Sequence, residues 1–172
     1  MDTNWYVIQV KSRREDIVMK ECRLLISNDI LIDCFVPKYR HLKRYQGKWH
    51  QVEDILFTGY VFLISDRIEE LFHELSRIPE LTKLLGNDGD NIYPLTKKDI
   101  VFLEKFINDD YLLDMSTGYI EGDKVVIRDG PLVGYEGFIT KIDRHKRIAY
   151  LDLFLFDQQL STKVGLEIIS KR

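Results

Sequence analysis

The stretch "VVIRDGPLVGYEGFITKID" (125–143) sets three glycines, Gly130, Gly134 and Gly137, and one proline between strand-like apolar residues. Loops of this composition cradle phosphates, clamp nucleic-acid backbones or simply turn a chain, and each use demands different neighbours. A P-loop needs G-x-x-x-x-G-K-[ST] opening a helix, so that amides and a lysine point at phosphates. Here Tyr135 and Glu136 follow Gly134, and the next segment is strand-like. "GYEG" (134–137) has the G-x-x-G spacing of a KH clamp, but it lies between strands and Glu136 would repel a phosphate. What remains is a turn. Asp129 and Gly130 begin it, Pro131 fixes φ where no ladder donor is needed, and Gly137 starts a new strand, a site for a bulge or positive φ.

Downstream of Asp123 every segment is short and strand-like: 124–128, 138–143, 147–155, 160–164 and 166–169. Five such strands in about 50 residues, with no helical stripe, predict a small barrel of the SH3-like or OB type. Upstream, "WYVIQV" (5–10) reads as a buried strand, and Ile17, Val18, Cys22, Leu24 and Leu25 recur at helical spacing through 13–27. "IDCFVPKYRHLKRY" (32–45) returns to strand chemistry, with Pro37 marking an edge or bulge. Residues 45–65 read as a turn at Gly47, a strand, a break near Gly59 and another strand.

Asp66 and Glu69 form a D-x-x-E start for a helix striped by Ile68, Leu71, Phe72 and Leu75, ending at Pro79. "GNDGDN" (86–91) reads as a loop, and Thr96 and Asp99 open a helix striped by Ile100, Leu103 and Ile107. The order predicts an α/β sandwich with an antiparallel sheet over 1–108, a linker over 109–121 in which Tyr111, Leu112 and Leu113 dock, and the barrel over 122–172. The fold class is α+β.

Composition excludes several classes. The chain is 45% hydrophobic and 31% charged, as an ordinary globular protein is. No run of about 18 uncharged apolar residues is present, and the start "MDTNWYVIQVKSRRE" lacks the pattern of a signal peptide. Cys22 and Cys34 lack CxxC spacing and read as buried thiols in a reducing, cytoplasmic compartment. The four histidines form no metal motif, no serine sits in a G-x-S-x-G elbow, and acidic pairs such as Asp109–Asp110 read as solvated surface. No catalysis, metal or cofactor is expected.

Net charge is −3, but it is unevenly spread. Residues 11–48 hold ten Lys/Arg against five Asp/Glu, and residues 53–115 hold six against fourteen. That asymmetry fits one face for an anion such as nucleic acid, or a solvated face with no partner.

The strand–DGP–loop–G–strand pattern of "GDKVVIRDGPLVGYEGFITKIDRHKRIAYLDLFLF" (122–156) resembles a KOW motif, an SH3-like barrel. "WYVIQVKSRRE", "CFVPKYRHLKRYQGKW" and "LFTGYVFL" (56–63) look like the NGN domain of the NusG family, with Thr58 where that family usually carries a proline. The resemblance covers nearly the whole chain and implies a bacterial elongation factor that rides RNA polymerase. Carried over by motif position, it implies that Phe57 and Tyr60, with Gln9 on the adjoining strand, dock on the clamp coiled coil of the polymerase's largest subunit. Read without it, Phe57 and Tyr60 are ordinary core aromatics.

Two basic clusters resemble the specialised LoaP group of antiterminators. Lys38, Arg40, His41, Lys43, Arg44 and Lys48 lie on a predicted hairpin with two tyrosines, and Arg144, His145, Lys146 and Arg147 lie at a barrel turn. A basic β-ribbon with aromatics suits a structured RNA such as a hairpin. Lys11, Arg13 and Arg14 occupy a strand-to-helix corner that, in the family, faces non-template DNA. Each cluster alone could be a solvated turn.

The segment "DLFLFDQQLSTKVGLEII" (152–169) departs from the family by having no glycine before Gly165. The expected function is processive antitermination by a monomer that suppresses pausing and termination. The alternatives are a general elongation factor without RNA specificity and a KOW-type RNA-binding module unrelated to polymerase.

Overall fold

The computed structural model describes residues 4–81 and 92–172; the loop expected over 86–91 lies outside them. Its elements begin with β1 (Asn4–Gln9), α1 (Glu15–Leu25), β2 (Asp33–Phe35), β3 (Lys38–Tyr45), β4 (Lys48–Ile55), β5 (Tyr60–Ser65) and α2 (Ile68–Leu75). β6 (Ile92–Pro94), α3 (Lys97–Phe106), β7 (Leu112–Leu113) and β8 (Ser116–Glu121) follow. The chain closes with β9 (Lys124–Asp129), a single 3-10 turn (Glu136–Phe138), β10 (Ile139–Asp143), β11 (Ile148–Leu155) and β12 (Gln158–Lys171). The fold is α+β, as expected. It divides into two compact units, one of Met1–Val36 and Phe57–Ile100, the other of Pro37–Leu56 and Val101–Arg172.

The first unit is built on a four-stranded antiparallel sheet in the order β2-β5-β1-β6. Val7, Ile8, Val61, Phe62 and Leu63 form its buried centre, and Val18 and Cys22 of α1 and Leu71 and Leu75 of α2 are buried with them. The corner between β1 and α1 turns on Glu15, a carboxylate only 1% exposed. It accepts hydrogen bonds from the backbone N–H of Arg13 at 2.7 Å and of Gly59 at 3.3 Å. A buried carboxylate is tolerated because such donors replace its water.

The two expected helix starts fare differently. Thr96 and Asp99 form the reciprocal pair, each backbone N–H donating to the other's side-chain oxygen at 3.1 Å. Asp66 makes no cap: Arg67 occupies the N-cap position, and its N–H donates to Ser65 Oγ at 3.0 Å. That helix ends at Leu75, before Pro79 is reached.

The second unit differs most from the expectation. Its five-stranded sheet runs β10-β11-β12-β8-β9, and β8 joins β12 in parallel. Residues 109–121, expected as a linker, therefore contain β7 and a full strand of this sheet. The strands expected at 160–164 and 166–169 are one continuous β12. β3 and β4, expected inside the N-terminal sandwich, belong to this unit, where β3 pairs with β7 in a three-stranded sheet.

The quoted glycine loop joins β9 to β10 and is structural. Gly130 has φ +104°, and a Cβ there would lie 2.6 Å from the Cα of Ser116. Leu132 N–H donates to the buried Ser116 Oγ at 3.0 Å, and Ile127 N–H to Glu136 Oε1 at 3.3 Å. Tyr135 packs edge-on to Phe102 and Phe106, fixing the C-terminal turns of α3. Gly137 needs neither a bulge nor positive φ, because it sits in the 3-10 turn with open space around it.

Candidate nucleic-acid interface

The β3–β4 hairpin is set by a two-residue turn in which Gln46 and Gly47 both have positive φ, 54° and 74°. This is the turn whose twist matches antiparallel strands. It fixes the register, so Arg44 stands opposite Trp49 and Lys43 opposite His50. Beyond the hairpin, β3 crosses β12 at Gly165, where a Cβ would lie 2.5 Å from the carbonyl oxygen of Arg40 and 3.3 Å from the Cα of His41. Only glycine permits that approach. Thr162 Oγ1 donates to the carbonyl of Leu56 and ties β12 to the end of β4.

This crossing brings the hairpin beside the β10–β11 turn. Between them lies an open groove of about 710 Å³. Its walls include Lys43 and Arg44 from the hairpin and Arg144, His145, Lys146 and Arg147 from the turn. The turn is held by Asp143, whose Oδ1 accepts the Lys146 N–H at 3.0 Å; that bond holds the carboxyl below its ordinary value. Arg147, at φ +57°, places its guanidinium 4.2 Å from the Trp49 ring centroid, with Arg44 at 6.0 Å from the same ring. Arg147 also pairs with Glu167 at 3.6 Å.

On the adjoining sheet Tyr150 stands between Lys141 and Lys163 in register, their ammonium groups 5.5 and 5.8 Å from its ring. His41 is buried, stacked on Tyr39, with Nε2 2.6 Å from Asp54 Oδ2. Burial and the nearby Asp54 charge push the Tyr39 phenol up to about 12.

Several expected contact residues lie elsewhere. Arg40 is committed to carboxylates, 2.8 Å from Asp114 and 3.6 Å from Glu53, and does not line the groove; Lys38 and Lys48 do not line it either. His41 lines it as a buried side chain rather than as a projecting cation. At the other basic corner Arg14 holds Glu80 through both Nε and Nη2, which raises its pKa, while Lys11 and Arg13 are exposed.

Phe57 is buried and its ring meets Phe62 at 5.9 Å, so it offers no area to a partner, contrary to the expectation for an interface aromatic. Tyr60 and Gln9 are cross-strand partners; Tyr60 is half-buried, and burial raises its phenol pKa. Gln9 is exposed and accepts a bond from Tyr93 Oη at 3.4 Å.

Trp49, Tyr150 and Lys163 are groove residues that the sequence reading did not single out. The Gln46–Gly47 turn implies Trp49 by counting outward from it. Nothing comparable implies the other two.

Residues 3–104 match the protein family described as transcription termination factor NusG, more than half of the chain. The chain belongs to the NusG family. It is 24% identical over 171 residues to the transcription termination/antitermination protein NusG of Campylobacter jejuni, covering 97% of this chain and 96% of that one. The NusG of Lactococcus lactis is 26% identical over 164 residues, covering 89% and 85%. The solved structure of Thermotoga maritima NusG, described for its domain interaction, has a TM-score of 0.50 at 19% identity, covering 98% of this chain and 95% of that one. At that identity the likeness speaks for the NusG fold alone.

Proposed function

We propose that this NusG-family chain is a processive antitermination factor, one that binds RNA polymerase and reads a structured RNA element, in the manner of the specialised LoaP group. The observation that carries the RNA half is the convergence of two basic segments on one groove that Trp49 and Tyr150 also line. Lysine and arginine neutralise phosphates, and aromatic and guanidinium planes recognise RNA features that a uniform duplex does not offer. The polymerase half rests on family membership, with Tyr60 and Gln9 as the contact surface for the clamp coiled coil and Phe57 supporting it from the core. Lys11 and Arg13 are the residues left to approach non-template DNA. The chain acts as a cytoplasmic monomer without cofactor or catalysis, and suppresses pausing and termination.

The test pairs binding with transcription. Labelled RNA hairpins are titrated at two salt concentrations, and readthrough of a terminator is measured with purified polymerase. Arg44→Ala and Arg147→Ala should each flatten the salt dependence by about one unit of slope and reduce readthrough. Tyr60→Ala should abolish polymerase binding and leave RNA affinity unchanged. Equal, weak binding of all RNAs, unaffected by either arginine variant, would leave a general elongation factor.

A further inference from the structure

The groove is built for more than phosphates. A continuous RNA stem presents a convex face of phosphates and sugars with its bases stacked inside, so it neutralises a rim without filling a cavity. The space here is about 710 Å³, within the usual range for a small-ligand cleft. Trp49, Arg147 and Tyr150 all line it, with the Arg147 guanidinium over the Trp49 ring. The Arg147 guanidinium lies over the indole, so less side-chain freedom remains to be lost when a second planar group stacks on it.

The charge of the groove favours flanking phosphates. Asp54, the lining carboxylate, has Oδ2 2.6 Å from Nε2 of the buried His41, while Lys43, Lys146 and Lys163 are exposed, as Asp54 is. Lys43, Arg44, Arg144, Lys146, Arg147 and Lys163 outnumber that carboxylate and attract phosphates. A planar group flanked by phosphates suits both the aromatic lining and the lysines.

Resting on the RNA reading above, we infer that the groove holds one unstacked nucleobase from an RNA loop or bulge, against the Trp49–Arg147 stack, with its flanking phosphates on the surrounding lysines. The probes are three RNAs of equal phosphate count: a blunt duplex, a stem closed by a loop of randomised bases, and the same stem with an abasic loop. Affinities are measured at one salt concentration, with circular dichroism checking the fold of each variant.

The looped RNA should bind about tenfold more tightly than the duplex or the abasic loop. Trp49→Ala should erase that advantage, so that looped RNA binds no better than the duplex, and Trp49→Phe should restore part of it. Equal affinity for looped and abasic RNA, or an equal loss with both in Trp49→Ala, overturns the inference and leaves RNA binding intact. Failure of all three RNAs to bind overturns the RNA reading itself.

Discussion

The corner at Arg13–Arg14 and the turn at Arg144–Arg147 look alike in sequence, each a short basic run between a strand and the next element. Their surroundings make them different. Arg14 is held in a two-pronged ion pair with Glu80, a residue far along the chain, and its charge is largely spent there. Arg147 meets Trp49 face-on and shares a groove with cations from another hairpin, and the carboxylate of Glu167 lies 3.6 Å from it. A basic residue becomes available to a ligand only when the fold supplies no closer anion.

The sharpest way to break this contrast is to remove the crossing that builds the groove. Gly165→Leu puts a side chain where a Cβ already lies 2.5 Å from a carbonyl oxygen. Urea unfolding should show a loss of about 3 kcal/mol, and RNA affinity should fall with it. A wild-type midpoint for that variant would mean the hairpin does not cross there.

The arginines themselves come next. Arg147→Ala should weaken binding of a looped RNA by about tenfold, whereas Arg14→Ala should leave it unchanged. Arg14→Ala should instead lower the unfolding midpoint slightly, as loss of a solvent-screened ion pair does. Comparable RNA effects from both would remove the distinction between the two sites.

The two helix starts offer a smaller version of the same comparison. Thr96→Ala deletes a cap that is made and should cost about 1 kcal/mol. Asp66→Ala deletes one that is not, and should stay within about 0.5 kcal/mol in the same thermal or urea measurement.

The smallest effect is electrostatic. Asp143 is held below the ordinary aspartate value of 3.8 by the Lys146 amide, so its contribution is present above the unfolded value and is lost as pH falls through the lower folded one. In an NMR titration the Lys146 amide should shift with a midpoint below 3.8. A midpoint at or above that value would show that the bond does not hold the turn.

Much of the fold was legible because it depends on neighbours in sequence. The strand at 5–10, the Gln46–Gly47 hairpin turn and the Thr96–Asp99 cap involve groups a few residues apart, and local sterics and hydrogen bonding suffice to specify them. The Asp66 motif reads as a cap in sequence, yet the helix begins one residue later, with Arg67 at the N-cap position and its N–H donated to Ser65 Oγ. The strand in 116–121 was missed because its partner is β12, paired in parallel from the far end of the chain. No local signal announces such a pairing.

The candidate site divides in the same way. The basic residues at 43–44 and 144–147 could be read directly, and so could the fact that "RDGPLVGYEG" turns the chain rather than holding a phosphate. Whether Arg14, Arg40 and Arg147 remain available depended on Glu80, Asp114 and Trp49, each brought from elsewhere. By itself the sequence determined most of the strands, the hairpin and glycine turns, and where positive charge is carried. The tertiary structure alone decided which charges meet a carboxylate and which face an open groove, because ion pairing and burial are set by distances between residues that the chain order does not encode.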